Sequence, residues 1–236
     1  GNHESLEFIL ALYPESKRLQ AVRMPDQFKR TALHYAANSK NIDCIKAILS
    51  SIPESNRFHD ACIKDEEERT VLYYAAKSGN AESIRLILAS CSESERLQVL
   101  GMTDRDRWTV LHCVASSNNP ESMKQILDIY PETERLRAVC AQDRRGQTVL
   151  HLAAESGNSR SIQLIFNLFP ESERLHALSI KDQDGWVVLH CAASSGNPEL
   201  IKQVIAQYPE GERLRAVSEE CSLGTVLHCA ARSGNF

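Results

Sequence analysis

The stretch Asp143-Arg-Arg-Gly-Gln-Thr-Val-Leu-His-Leu-Ala-Ala-Glu-Ser-Gly-Asn158 is repeated, with small edits, along the chain. Its central leucine recurs at Leu33, Leu72, Leu111, Leu150, Leu189 and Leu227, giving four intervals of 39 residues and one of 38. A fixed period of about 20–50 residues, in units too small to bury a core alone, marks a solenoid in which neighbours complete one another's packing. Function must then lie on a surface shared by several units.

Within the quoted stretch, Thr148 is placed to cap a helix through its hydroxyl, and Leu150, Ala153 and Ala154 give that helix a thin apolar face that a neighbour can approach closely. Gly157 ends it and Asn158 caps a second helix. The parallel segments Asn119-Pro120-Glu121 and Asn197-Pro198-Glu199 read as cap, proline at the first helical position and acid in the first turn. The second helix carries one apolar stripe at i, i+3, i+4, i+7: Leu6, Ile9, Leu10, Tyr13 in the first copy, Met123, Ile126, Leu127, Tyr130 in the fourth, Ile162, Ile165, Phe166, Phe169 in the fifth. Such a stripe faces a core.

These residues resemble the ankyrin repeat. Asp143, Gly146, Thr148, Leu150, His151, Ala153, Ala154 and Gly157 fall in register with its pattern, and the resemblance covers essentially the whole chain. It implies an all-α solenoid of stacked helix-turn-helix units joined by hairpin loops. Val149 stands where the family prefers proline and Asn158 where it prefers histidine, and neither departure changes the expected fold. The period exceeds the family's usual value of about 33 residues. The extra length sits in Pro170-Glu-Ser-Glu-Arg-Leu-His-Ala-Leu178 and its equivalents, which suit a short third helix with Leu175 and Leu178 turned inward. Extended units of this kind resemble arrays in effector proteins of intracellular bacterial pathogens, which would place the protein in a host cytosol.

The expected organisation is one array over residues 1–236: a partial unit at 1–25, full units at 26–64, 65–103, 104–142, 143–181 and 182–219, and a partial unit at 220–236. Both ends fall within a unit, so a longer parent chain is expected, and the helix around Val226–Ala231 should fray. The chain is 42% hydrophobic and 25% charged, an ordinary globular range. With 27 Lys and Arg against 31 Asp and Glu, the net charge of −4 disfavours nucleic acid, which needs uncompensated cations. No apolar run reaches the roughly 20 residues of a membrane helix. The eight cysteines include no Cys-x-x-Cys pair and read as small thiols of a reducing, cytoplasmic compartment. A monomer is expected.

Candidate chemistry is sparse. His34, His112, His151, His190 and His228 recur once per unit, too far apart to converge on one metal, and the resemblance assigns them a structural role beside Thr. Cys191 and Cys229 follow histidines, but adjacent helical residues point about 100° apart, which disfavours a Cys-His nucleophile. No catalytic residue, metal or cofactor is expected. The Glu-x-x-Arg pairs such as Glu132/Arg135 and Glu171/Arg174 suit a structural ladder of i, i+3 ion pairs.

Hairpin tips and the exposed face of the first helix are where ankyrin proteins hold partners. The resemblance carries this to Phe28 and Arg30; Glu66, Glu67 and Arg69; Arg105, Asp106 and Trp108; Arg144, Arg145 and Gln147; and Asp184 and Trp186. Trp108 and Trp186 share one tip position, where exposed Trp would anchor a partner protein and packed Trp would support the next hairpin. The favoured reading is a non-catalytic protein–protein interaction module. The alternative is the substrate-recognition segment of a larger enzyme.

Overall fold

The computed structural model describes residues 2–233. Helices α1 (Asn2–Leu12), α4 (Ile42–Ser50), α7 (Ala81–Ala89), α10 (Pro120–Ile129), α13 (Ser159–Leu168) and α16 (Pro198–Ile205) are the second helices of successive repeats. The first helices are α3 (Ala32–Asn38), α6 (Val71–Lys77), α9 (Val110–Ser116), α12 (Val149–Glu155), α15 (Val188–Ser194) and α18 (Val226–Ser233). The extra segment is a third helix in every copy: α2 (Glu15–Arg23), α5 (Glu54–Ala61), α8 (Glu93–Leu100), α11 (Glu132–Val139), α14 (Glu171–Ser179) and α17 (Glu210–Val217). Strand content among the described residues is one two-residue antiparallel ladder, β1 (Glu220–Cys221) with β2 (Gly224–Thr225), and an isolated bridge between Lys64 and Thr70.

Two compact units divide the chain, one running to Arg105 and one beginning at Asp106. In the first, α3 packs on α6, α1 on α4 and α4 on α7. In the second, α9, α12, α15 and α18 follow one another in a row, with α10, α13 and α16 in a parallel row behind them. The division of labour follows from side-chain size. Ala153, Ala154, Ala192 and Ala193 are fully buried where first helices meet closely, whereas the bulky stripe of the second helix fills the space between rows.

The asparagine caps form as expected: the Asn119 and Asn158 side chains each accept the N–H three residues on, and Asn41, Asn80 and Asn197 accept two N–H groups each. Stripe residues are buried throughout α4, α7, α10 and α13, and Ile165 and Phe166 together contribute roughly 3–6 kcal/mol of burial. The expectation is too broad in α1, where Ile9 and Tyr13 are 51% and 41% exposed. Among the described residues the main packing partner of that helix is α4. In α14, Ala177 and Leu178 are buried while Leu175 is only half-buried.

The Glu-x-x-Arg ladder needs correction. Among the described residues only Glu54 and Arg57 of these pairs lie within ion-pair distance, at 3.4 Å. Instead each arginine reaches back along the chain. The Nε–H groups of Arg57, Arg96, Arg135, Arg174 and Arg213 donate to the carbonyls of Ile52, Cys91, Tyr130, Phe169 and Tyr208, five residues earlier, at 2.8–3.3 Å. The third helix therefore caps the end of the second, where carbonyls lack intrahelical partners and a cation meets the negative pole of the dipole.

Candidate functional site

Each of the first five hairpins opens on an aspartate. The Oδ1 of Asp26, Asp65, Asp143 and Asp182 accepts the N–H groups two and four residues on, at 2.8–2.9 Å. The third residue after that aspartate turns through the left-handed region: Lys29, Glu68, Gly146 and Gly185 have φ of 62°, 62°, 78° and 79°. Arg107 does the same in the hairpin opened by Asp104, at 64°. Backbone hydrogen bonds then join neighbouring tips. Glu66 N–H donates to Phe28 O and Arg105 N–H to Glu67 O in the first unit. In the second, Arg144, Gln183 and Ser222 donate to Asp106, Arg145 and Asp184, at 2.8–2.9 Å.

This geometry sorts the expected partner-binding residues into two groups. The first and second positions after the aspartate are exposed in all five hairpins, which puts Phe28, Glu66, Glu67, Arg105, Asp106, Arg144, Arg145 and Asp184 outward. The fourth position folds back. Arg30 and Arg69 donate to the carboxylates of Asp26 and Asp65 and lie over aromatic rings, Arg30 at 4.7 Å from Phe28 and 4.6 Å from Tyr35. Gln147 is 6% exposed. The Trp108 indole donates to the Asp143 carboxylate at 2.9 Å, and Trp186 donates to the Ser222 hydroxyl at 3.3 Å, so each reaches the following hairpin. Both remain half-buried, and Trp186 borders a groove of about 250 Å3 with Arg145, Glu155, Asp184 and Leu223.

At Asp26 and Asp65 burial raises the carboxyl and hydrogen bonds lower it, and the bonds prevail. Asp26 is held below the usual carboxylate range because Tyr35, Arg30 and the Phe28 N–H outweigh its desolvation, and Asp65 likewise through Tyr74 and Arg69. The same contacts act on the partner: burial, then Asp65, pushes Tyr74 up to about 12.

The recurring histidine joins units. His151 Nδ1 accepts the Thr148 N–H at 3.2 Å and lies 2.8 Å from its hydroxyl, and Nε2–H donates to the Trp186 carbonyl at 3.1 Å. His34, His112 and His190 reach Ile63, Ala141 and Glu219 in the same way. In the repeat where Tyr73 replaces histidine, the Thr70 hydroxyl accepts the Tyr73 N–H at 3.3 Å. At Val187 the hydroxyl is missing, yet the Val187 N–H still donates to His190.

Burial lowers the pKa of His34, His112, His151 and His190 below 6.5, against weaker raising contributions from Asp65, Asp143, Asp182 and Glu219 and a lowering one from Lys181 at His190. The unfolded chain therefore binds protons before the folded one does. Stability from these rings is complete above 6.5 and is lost as pH falls from there through the depressed folded values. Urea midpoints should fall between pH 7 and 5, ahead of any carboxylate effect; a flat midpoint over that interval would contradict the assignment.

With the three-helix repeat, hairpin ladder and histidine contacts established, the class is defined. The chain matches the family model for ankyrin repeats (3 copies) over residues 1–98 and 96–174. It belongs to the ankyrin-repeat family, whose members generally mediate protein–protein interaction. No curated protein matches the chain. No helix among the described residues is long and apolar enough to cross a membrane.

Proposed function

We propose that the chain is a non-catalytic interaction module that docks a partner protein on its hairpin tips and the adjoining face of its first helices. The reading is supported chiefly by the outward pair at each tip, mostly charged side chains with one aromatic ring, held on a frame of backbone hydrogen bonds. Such a frame costs little ordering entropy on binding. Glu66 and Glu67 give the first unit an acidic tip, and Arg144 and Arg145 give the second a basic one.

The test is capture of partner protein by the wild-type chain, by an Arg144→Glu/Arg145→Glu variant and by a Glu132→Lys/Glu171→Lys variant on the third helices. The tip variant should lose capture roughly tenfold or more without a change in melting temperature. Loss confined to the third-helix variant would overturn the reading.

The tryptophans divide between roles. Trp108→Ala removes a donor from the buried Asp143 carboxylate and should cost about 1–2 kcal/mol of stability. Trp186 bonds an exposed hydroxyl, so Trp186→Ala should weaken capture more than it lowers the melting temperature. Equal losses from the two variants in thermal scans would assign both rings to structure.

A further inference from the structure

The interaction surface leaves one pair of side chains unused. Cys221 lies on β1 and Cys229 on α18, and their sulfurs are 4.0 Å apart. The Cys221 thiol donates to the Gly224 carbonyl at 3.1 Å across the short ladder, which holds the hairpin's two strands around it. Cys221 is half-buried and Cys229 is buried, its thiol pushed up to about 11 by burial and then by Cys221. All eight cysteines are free thiols.

We propose that Cys221 and Cys229 are a reversible dithiol–disulfide pair that fastens the sixth hairpin to α18. A disulfide bond is about 2.05 Å long, so closure asks the sulfurs to approach by about 2 Å. Side-chain rotation on a hairpin of two-residue strands accommodates that shift. Cys221, the more accessible thiol, is where a small soluble disulfide such as oxidised glutathione enters. Its thiolate attacks one glutathione sulfur, the glutathione S–S bond breaks, and the departing thiolate takes up the proton Cys221 released. The Cys229 thiolate then attacks the Cys221 sulfur of the mixed disulfide, and the second glutathione leaves with the Cys229 proton. Two protein thiols are oxidised, one glutathione disulfide is reduced, and two glutathione thiols result.

The consequence reaches the candidate surface. Between the two strands, Ser222 donates its N–H to the Asp184 carbonyl and accepts from the Trp186 indole, and Leu223 lines the Trp186 groove. Fastening the hairpin would fix those contacts. This last step rests on the proposed interaction surface, whereas the disulfide itself does not.

The experiment treats the full chain with oxidised glutathione, blocks remaining thiols with iodoacetamide and digests with trypsin. The peptide Ala216–Arg232 contains Cys221 and Cys229 and no other cysteine. It should appear unalkylated and lighter than the dithiol form by about 2 Da, the two lost hydrogens, and revert with dithiothreitol. Cys221→Ser should abolish the product, and Cys229→Ser should stop at a glutathione adduct on Cys221. Amide exchange across Val226–Ser233 should slow in the oxidised protein. Double alkylation after oxidation, a persistent adduct in the wild type, a cross-link to the Cys191 peptide Asp182–Lys202, or unchanged exchange in α18 would each overturn the proposal.

Discussion

His151→Ala is expected to destabilise the second unit by about 3–5 kcal/mol. The ring is fully buried and satisfies two backbone groups at once, the Thr148 N–H and the Trp186 carbonyl. Removing it strands both, at roughly 1–3 kcal/mol each for buried groups left unpaired, and opens a cavity between hairpin and helix. The denaturant midpoint should fall with no change in slope. His228 provides the control: it makes the same contact with the Thr225 N–H, but its ring is exposed. His228→Ala should cost under about 1 kcal/mol, since water replaces the lost partner. Equal costs at the two positions would refute the burial argument.

The second large effect is at Gly146. With φ at 78°, a side chain is strained there, and an added Cβ would lie 3.1 Å from the Asp182 Cα and the Gln183 nitrogen, backbone atoms of the next hairpin. Neither can rotate away, so Gly146→Ala should cost about 1–3 kcal/mol and push the neighbouring tip outward. The Gln183 N–H bond to Arg145 is the contact at risk, and its amide should exchange faster in the variant. The opposite substitution tests the same physics. Arg107 occupies the equivalent position at φ 64°. Arg107→Gly should relieve left-handed strain and leave stability level or higher by up to about 1 kcal/mol. A loss from Arg107→Gly comparable to that from Gly146→Ala would show that tip conformation is not the controlling factor.

What could be read from the sequence was local. The asparagine caps, the proline at the first helical position and the second-helix stripe depend on residues within a turn or two of each other, and the caps and the stripe from α4 to α13 appear where the spacing puts them. The third helix was legible for the same reason. Its arginines were not: Glu and Arg three apart look like an ion pair on any helix, whereas the competing acceptor is a carbonyl on the preceding helix. Only the docking angle brings it within reach. Among the tip residues, the position alone could not separate Arg145, which points outward, from Gln147, which is buried two residues later. The sorting comes from the aspartate holding the N–H four residues on, which turns that residue back toward the stem. Trp108 and Asp143 are 35 residues apart, and no local pattern announces their bond.

The rungs of the tip ladder are bonds between peptide groups, so they persist whichever side chains occupy the two outward positions, and the Gln183 amide on the Arg144 carbonyl and the Arg105–Glu67 pair only add to them. Those positions can be rewritten by substitution while the rungs beneath them stay in place. A display rack of this kind separates the grammar of the frame from the vocabulary it presents. Transplanting Arg144 and Arg145 onto the Glu66 and Glu67 hairpin would move a label from one shelf to another, giving up the 3.7 Å Arg105–Glu67 pair while the peptide rungs stay in place.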